Sequence, residues 1–307
     1  MPSPTPVRTV VVPAAGWGSR FLPTTKAVPK ELLPLVDRPV IQYGLEETID
    51  SGLIRAIIVT SPGKTALEDY LRPRPALDEF LASRDKSHLL SGIARIMDGL
   101  DISYVTQREQ LGLGHAVLTA AGSVGPEPFA VLLPDDVIDS STPALQQLLD
   151  VYQARRAPVL AVQRVPRDRI SGYGVIEREE IASGLHRVKA LVEKPCPEDA
   201  PSDLGIVGRY VLTPDIFDAL AATPPGALGE IQLTDAISNL LEIGPVYALE
   251  FEGSRYDAGN PLGLIQASVS MGLTHPDLGP DLRAYLAGLD FSTGWPRSPA
   301  SPPSGPP

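Results

Sequence analysis

The sequence predicts an α/β protein built on a mostly parallel sheet. Two observations carry that expectation: short aliphatic, β-branched runs recur along the chain, and amphipathic segments of helical length separate them. The runs are near-continuously apolar, as strands covered on both faces must be. The first is Thr9-Val10-Val11-Val12, followed by a glycine-bearing loop and a helix from Val40 to Asp50. Further strands are expected at Ala56 to Thr60, Ile102 to Thr106, Phe129 to Leu133 and Val159 to Gln163. Helices are expected between them at Thr65 to Leu71, His115 to Ala121 and Pro143 to Arg155, where Pro143 suits a first helical turn that needs no N–H. Beyond about residue 165 the pattern becomes mixed, with short strands at Gly174 to Glu177, Val188 to Glu193 and Tyr210 to Leu212, read as an appended smaller lobe. No internal repeat is visible.

Composition narrows the function classes. The chain has 307 residues, 43% hydrophobic and 21% charged, within the range of an ordinary globular protein. Its net charge of −11 works against attraction to a nucleic-acid backbone or an anionic membrane, and neither partner is expected. An anionic ligand must then be held by a local cluster of cations and backbone N–H groups. Cys196 is the single cysteine, so neither an intrachain disulfide nor a cysteine-built metal centre can form. The opening Met1-Pro2-Ser3-Pro4 lacks a basic-then-apolar leader, and no window of about eighteen apolar residues occurs, so a cytoplasmic location is expected. The proline-rich stretch 292–307 is expected to be disordered; a peptide ligand for a proline-binding module is the alternative reading.

The first strand runs into Ala14-Ala15-Gly16-Trp17-Gly18-Ser19-Arg20, where two glycines let backbone N–H groups approach a phosphate. The loop lacks the third glycine of a dinucleotide fingerprint and the Gly-Lys-Ser/Thr ending of a P-loop. Instead a proline-stiffened run adds Lys26 and Lys30 to Arg20, which fits an anion site or a solvated charged loop equally well. Asp135 lies just past an apolar strand, where carboxyl ends of parallel strands present ligands. It suits a Mg²⁺ ligand, though turn formers and helix caps look the same; Asp257 offers a second carboxylate, and Asp136 competes locally with Asp135.

Gly16-x-Gly18-x-Arg20 followed by Pro29-Lys30-Glu31-Leu32-Leu33-Pro34 resembles the signature of sugar-1-phosphate nucleotidylyltransferases. Leu111-Gly112-Leu113-Gly114, Leu133-Pro134-Asp135-Asp136, Tyr173-Gly174-Val175, Val192-Glu193-Lys194-Pro195, Gly208-Arg209-Tyr210-Val211, Glu230 to Asp235 and Asp257-Ala258-Gly259-Asn260 are similar to those of bacterial UTP:glucose-1-phosphate uridylyltransferases. The resemblance spans roughly residues 8 to 275. It implies a Rossmann-like, mixed but mostly parallel sheet of the nucleotide-diphospho-sugar transferase type with a small sugar-binding β lobe. The corresponding division is an extension over 1–7, a nucleotidyltransferase domain over 8–275, a helical segment over 276–291 and the tail over 292–307.

The implied reaction is transfer of a uridylyl group from UTP to glucose 1-phosphate, giving UDP-glucose and pyrophosphate with Mg²⁺. A phosphate monoester is already anionic near neutrality, so neither a side-chain nucleophile nor a general base is needed, and catalysis reduces to alignment and charge neutralisation. The resemblance implies Arg20, Lys30 and Lys194 as the catalytic cations, with Ala15, Gly16, Gly18, Gln107, Gly112 and Asp135 around the nucleotide. Gly174, Glu193, Lys194 and Val207 are implied around the sugar, and Asp135 and Asp257 as metal ligands. Gln107 would read uracil through an amide that both donates and accepts, while His115 reads as a packed or capping residue.

Trp17, Asp203 and Pro261 depart from the usual pattern of those relatives, which bears on substrate fit and loop mobility. The resemblance also implies a homo-oligomer, dimer or tetramer. Competing expectations are a thymidylyl or other sugar-1-phosphate nucleotidylyltransferase, a non-catalytic sugar-nucleotide-binding regulator, and a scaffold presenting the proline-rich tail.

Overall fold

A computed structural model describes residues 6–226 and 229–290. The tail expected over 292–307 and residues 1–5 of the expected extension lie outside the described residues.

The chain begins with β1 (Thr9–Pro13), a short hairpin of β2 (Pro34–Leu35) and β3 (Arg38–Pro39), and helix α1 (Val40–Asp50). Next come β4 (Arg55–Thr60), α2 (Ala66–Tyr70), α3 (Pro75–Ala82), α4 (Ser91–Gly99), β5 (Asp101–Thr106), α5 (Gly112–Thr119) and α6 (Ala121–Val124). The middle of the chain forms β6 (Phe129–Leu132), β7 (Asp136–Asp139), α7 (Ala144–Arg155), β8 (Val159–Arg164), β9 (Gly174–Ala182), β10 (Leu185–Glu193) and β11 (Leu204–Leu212). The last elements are α8 (Asp215–Ala222), α9 (Leu233–Leu240), β12 (Tyr247–Glu250), β13 (Ser254–Asp257), α10 (Pro261–Thr274) and α11 (Gly279–Ala287).

Nine strands join in one mixed sheet of order β5-β4-β1-β6-β11-β8-β12-β10-β9. The β5-β4-β1-β6 half is parallel, with Val10 opposite Ala56 on one side of β1 and Ala130 on the other. Beyond β6 the pairing turns largely antiparallel, β8 with β12 excepted. The smaller lobe expected after residue 165 is therefore the far end of the same sheet. Its strands run longer than the mixed pattern suggested: β9 carries the unbroken charged run Glu177-Arg178-Glu179-Glu180 in its exposed half, which hides the strand, and β10 begins in a partly exposed Leu185-His186-Arg187 stretch.

Side-chain alternation along β1 builds the two-sided core. Val10 and Val12 pack with Ile41 and Leu45 of α1, Leu145 and Leu148 of α7, while Val11 faces Val117 of α5, Leu220 of α8 and Ile237 of α9. All nine residues of β11 are buried, as its central place demands. Helix α7 starts one residue after Pro143, which serves as its cap. Helix α10 has a more complete start: the Asn260 side chain accepts from Gly263 N at 2.9 Å and Pro261 occupies the first turn. Among the described residues no helix is long and apolar enough to cross a membrane.

Candidate active site

The carboxyl ends of β1, β4, β5 and β6 open onto one edge of the parallel half. After β1 the chain runs to β4 and β5 on one side and returns to β6 on the other, so the crevice between the β1 and β6 ends is a topological switch point. A cleft of about 420 Å³ occupies it, lined by Ala15, Gly16, Trp17, Lys30, Gln107, Gln110, Gly112, Asp135 and Glu230. Gly18 closes the loop after β1 with φ +66°, where a Cβ would meet Thr25 Cγ2 at 3.0 Å and Lys30 Cβ at 3.1 Å. Thr25 Oγ1 donates to Gly18 O at 2.8 Å and fixes the turn. The backbone N–H groups of Ala15, Gly16, Trp17 and Gly18 donate to no protein acceptor among the described residues.

Gln107 and Gly112 form the opposite wall. Gln107 is 3% exposed, and its amide nitrogen lies 3.2 Å from Gly112 O and 2.9 Å from His115 Nδ1. His115 thus orients Gln107, leaving Oε1 as the amide atom without a protein partner among the described residues. The Glu230 segment packs on this wall through Gly114 N to Ile231 O and Ile231 N to Leu111 O.

A second cleft, about 370 Å³, adjoins the first and contains Arg20, Asp135, Tyr173, Val207, Tyr210, Arg255 and Asp257. Leu133 and Asp135 line both. Asp135 is thus the carboxylate common to the two spaces. Asp136, its neighbour, is occupied elsewhere: it accepts from Arg255 Nε at 2.6 Å and from Gly208 N at 2.7 Å. Asp136 thus spends both carboxylate oxygens on protein donors, whereas Asp135 has Lys30 as its side-chain partner. Arg255 Nη1 also donates to the Tyr173 hydroxyl at 2.9 Å, which fixes a cation against this cleft.

The peptide bearing Asp135 is held from beneath. Arg209 is 1% exposed and pairs with Glu47 of α1, while its remaining donors reach Leu133 O at 3.0 Å and Asp136 O at 2.8 Å. An irregularity between Ile206 and Tyr210 of β11 brings Gly208 and Arg209 to that peptide.

Lys30 Nζ and Asp135 Oδ2 lie 2.6 Å apart. Burial disfavours both charges, yet Asp135 and Glu31 outweigh it at Lys30 and hold the ammonium above the ordinary lysine value, while Lys30 holds Asp135 below the ordinary carboxylate range. Asp257 Oδ1 accepts from Gly259 N at 3.0 Å and Oδ2 from Asn260 Nδ2 at 3.1 Å. At Gly259 a Cβ would stand 2.6 Å from Asp135 Oδ2 and 3.0 Å from Asp257 Oδ1. The two carboxylates therefore converge on a gap that only glycine leaves open, a donor set of hard oxygens suited to a divalent cation.

Gly174 and Glu193 are register partners at the start of β9 and the end of β10. A Cβ on Gly174 would meet Thr234 Oγ1 at 2.8 Å and Glu193 Oε2 at 3.1 Å. Lys194 follows with φ +46°, its N–H bound to Tyr173 O; its side chain is 55% exposed and ends 3.2 Å from Glu193 Oε1. These residues stand beside the second cleft next to Tyr173, whereas Val207 lines it. Arg20 lies in the second cleft, with Nη1 3.4 Å from Gly259 O, apart from the Gly16 wall where it was expected.

Sequence reasoning did not single out Arg255 or Gln110, and Tyr210 and Glu230 stood only inside the motifs Gly208 to Val211 and Glu230 to Asp235, without a role of their own. The one available signal was Arg255 two residues before Asp257, which alternation on β13 places on the same face. The departures find physical accounts. Trp17 is 71% exposed at the mouth of the first cleft, Asp203 pairs with Arg164 at 2.8 Å outside both clefts, and Pro261 fits the first turn of α10.

A family model described as nucleotidyl transferase matches residues 9–272. The UTP–glucose-1-phosphate uridylyltransferase of Staphylococcus epidermidis is 46% identical over 285 residues, covering 93% of this chain and 99% of that protein. A crystal structure of UDP-glucose pyrophosphorylase complexed with UDP-glucose superposes with a TM-score of 0.81 at 41% identity, covering 88% of this chain and all of that one (100%). A UTP-bound UGPase from Acinetobacter baumannii gives a TM-score of 0.86 at 37% identity, over 92% of this chain and 100% of that one. The chain belongs to the nucleotidyl transferase family, among the UTP–glucose-1-phosphate uridylyltransferases.

Proposed function

We propose that the chain transfers the uridylyl group of UTP to glucose 1-phosphate, releasing pyrophosphate. The observation that carries this reading is the meeting of two clefts at Asp135, one walled by free backbone N–H groups and Lys30, the other by Arg20, Arg255 and Asp257. The triphosphate lies along the Ala15–Gly18 turn in the first cleft, and uracil faces Gln107 Oε1 and the Gly112 backbone. Glucose 1-phosphate lies in the second, with its hydroxyls toward Glu193 and the Gly174 backbone, its ring against Val207 and its phosphate toward Lys194. The sugar phosphate oxygen forms the new bond to the α-phosphorus as the bond to the bridging oxygen of pyrophosphate breaks. Lys30 neutralises charge on the triphosphate and leaving group from the first cleft, and Arg20 neutralises charge on the reacting phosphates from the second, where the two clefts meet at Asp135. No proton moves to a side chain, since the attacking oxygen is already anionic.

Asp135 and Asp257 would hold a divalent cation, for which we propose Mg²⁺, and that ion supplies charge neutralisation between the two phosphates when bound. Asp135 also lies 2.6 Å from Lys30 Nζ, so the ammonium and that ion would share one carboxylate.

The test is pyrophosphate release from glucose 1-phosphate and Mg²⁺ with UTP, dTTP, CTP, ATP and GTP supplied separately, alongside Asp135→Asn. A UTP preference that the substitution abolishes is expected. Turnover with dTTP alone would transfer the reading to thymidylyl relatives, and silence with every nucleotide despite UDP-glucose binding would make the chain a regulator.

A further inference from the structure

Behind the glycine turn lies a buried ion pair to which no substrate role has been given. Gly63, at φ +79°, closes the turn that follows β4 and delivers Lys64. Lys64 is 11% exposed at its side chain, and its Nζ stands 2.7 Å from Oε2 of the fully buried Glu31. The same Nζ donates to Ala14 O at 2.5 Å and to Gly16 O at 3.1 Å.

The covalent geometry makes these bonds directional. In a trans peptide the carbonyl and the N–H of the next residue point in opposite senses. Drawing the carbonyls of Ala14 and Gly16 to Lys64 therefore turns the N–H groups of Ala15 and Trp17 away from it. Both residues line the first cleft, and neither N–H has a protein acceptor among the described residues. Glu31 sits beside Lys30, so the pair also ties the glycine turn to the segment that carries the cleft's lysine.

We propose that Lys64, held by Glu31, is a positioning residue that sets the peptide planes of the Ala14–Trp17 turn so that its N–H groups face the triphosphate. The inference rests on the reading of the first cleft as the nucleotide site. Stability alone does not explain the pair. Burial lowers the Lys64 pKa and raises that of Glu31, so folding works against both charges. Buried pairs of that kind are commonly replaceable by apolar residues at no loss of stability.

The experiment compares wild type with Lys64→Met, the double variant Lys64→Met/Glu31→Leu, and Lys64→Gln, which keeps a donor for Glu31 but is too short to hold both loop carbonyls as well. Thermal midpoint, UTP Kd by titration calorimetry with Mg²⁺, and KM for each substrate are measured. Lys64→Met alone is expected to lose stability by stranding Glu31, and the double variant to regain it. UTP binding in the double variant and in Lys64→Gln is expected to stay at least about tenfold weaker, while KM for glucose 1-phosphate moves less than about threefold. Wild-type UTP affinity in either folded variant would overturn the positioning role. Equal losses for both substrates would overturn it too, as general damage. A wild-type protein that binds no UTP would instead remove the nucleotide reading, and this inference with it.

Discussion

Gly259→Ala places one methyl group in the gap between Asp135 and Asp257. The Gly259 backbone lies outside the left-handed region, so alanine adds no conformational strain there. Its Cβ would sit 2.6 Å from Asp135 Oδ2, and regaining an ordinary contact of 3.4 Å requires that carboxylate to retreat by about 0.8 Å. Metal–ligand distances tolerate roughly 0.2 Å, so the displacement is about four times what a divalent site accepts. The atoms struck are ends of side chains, which rotate at little cost to the fold. Stability is therefore expected to change by less than about 1 kcal/mol, since the lost glycine entropy partly offsets the clash. Turnover is expected to fall by about 10²-fold or more, with a raised Mg²⁺ requirement. Pyrophosphate release across a Mg²⁺ titration, paired with a thermal melt, measures both quantities. A folded variant with turnover within about threefold of wild type at low Mg²⁺ would refute the assignment of that gap to the metal.

Arg209→Met strands Glu47 in the core and releases the peptide that carries Asp135, so a loss of about 3–5 kcal/mol is expected, roughly 5–8 °C in Tm for a chain of this length, measured by thermal unfolding. Lys194→Ala is expected to raise KM for glucose 1-phosphate at least about tenfold and leave KM for UTP within about twofold, checked by initial rates with each substrate varied. For pH, the Asp135 carboxyl is depressed in the fold, so its stabilisation is present above the ordinary value of 3.8 and is lost only as pH falls through a lower one. Lys30 is raised, so its contribution is complete below 10.5 and is lost only as pH rises beyond that value. Neither group titrates between about 5 and 9, so the acid limb of kcat/KM is expected near about 6, from the phosphates of the ligands, with a flat profile above it. An enzyme-borne transition between about 7 and 9 that persists in the Lys64→Met/Glu31→Leu variant, where the other shifted pair is gone, would contradict the Lys30–Asp135 pairing.

What could be read in the sequence divides along physical lines. The parallel half declared itself through Thr9-Val10-Val11-Val12 and Phe129 to Leu132, because strands buried on both faces must be apolar throughout. Gly16 and Asp135 were expected at the carboxyl ends of such strands and Gln107 from the resemblance, and the fold brings all three to one crevice. The amphipathic strands β9 and β10 were legible only in part, and the four-residue strands β7, β12 and β13 were too short to show a period. The division of labour between Asp135 and Asp136 was invisible, since it depends on Arg255, 119 positions away along the chain from Asp136. Glu47 and Arg209 are likewise joined only by the fold, across 162 positions. Isolated charges in a sequence carry no mark of their partners, and Lys64 shows as much: nothing in Gly63-Lys64-Thr65 reveals that its ammonium lies under the loop of residues 14–16.

Strand β11 bears on how such an enzyme can be re-engineered. It pairs with β6 from Arg209 to Leu212 and with β8 from Leu204 to Val211, so a single strand is stitched into both the side proposed for the nucleotide and the side proposed for the sugar. The two specificities are therefore not interchangeable cassettes. A chimaera joined near residue 165, with its first part from one parent and its second from another, would set β6 and β8 of one parent against β11 of the other along every one of those pairs. It would also divide Glu47 from Arg209 and Asp136 from Arg255. Grafting a new sugar preference onto this scaffold calls for transplanting the loops that rim the second cleft while β11, its Arg209–Glu47 pair and the Asp136–Arg255 pair between β7 and β13 stay with the host.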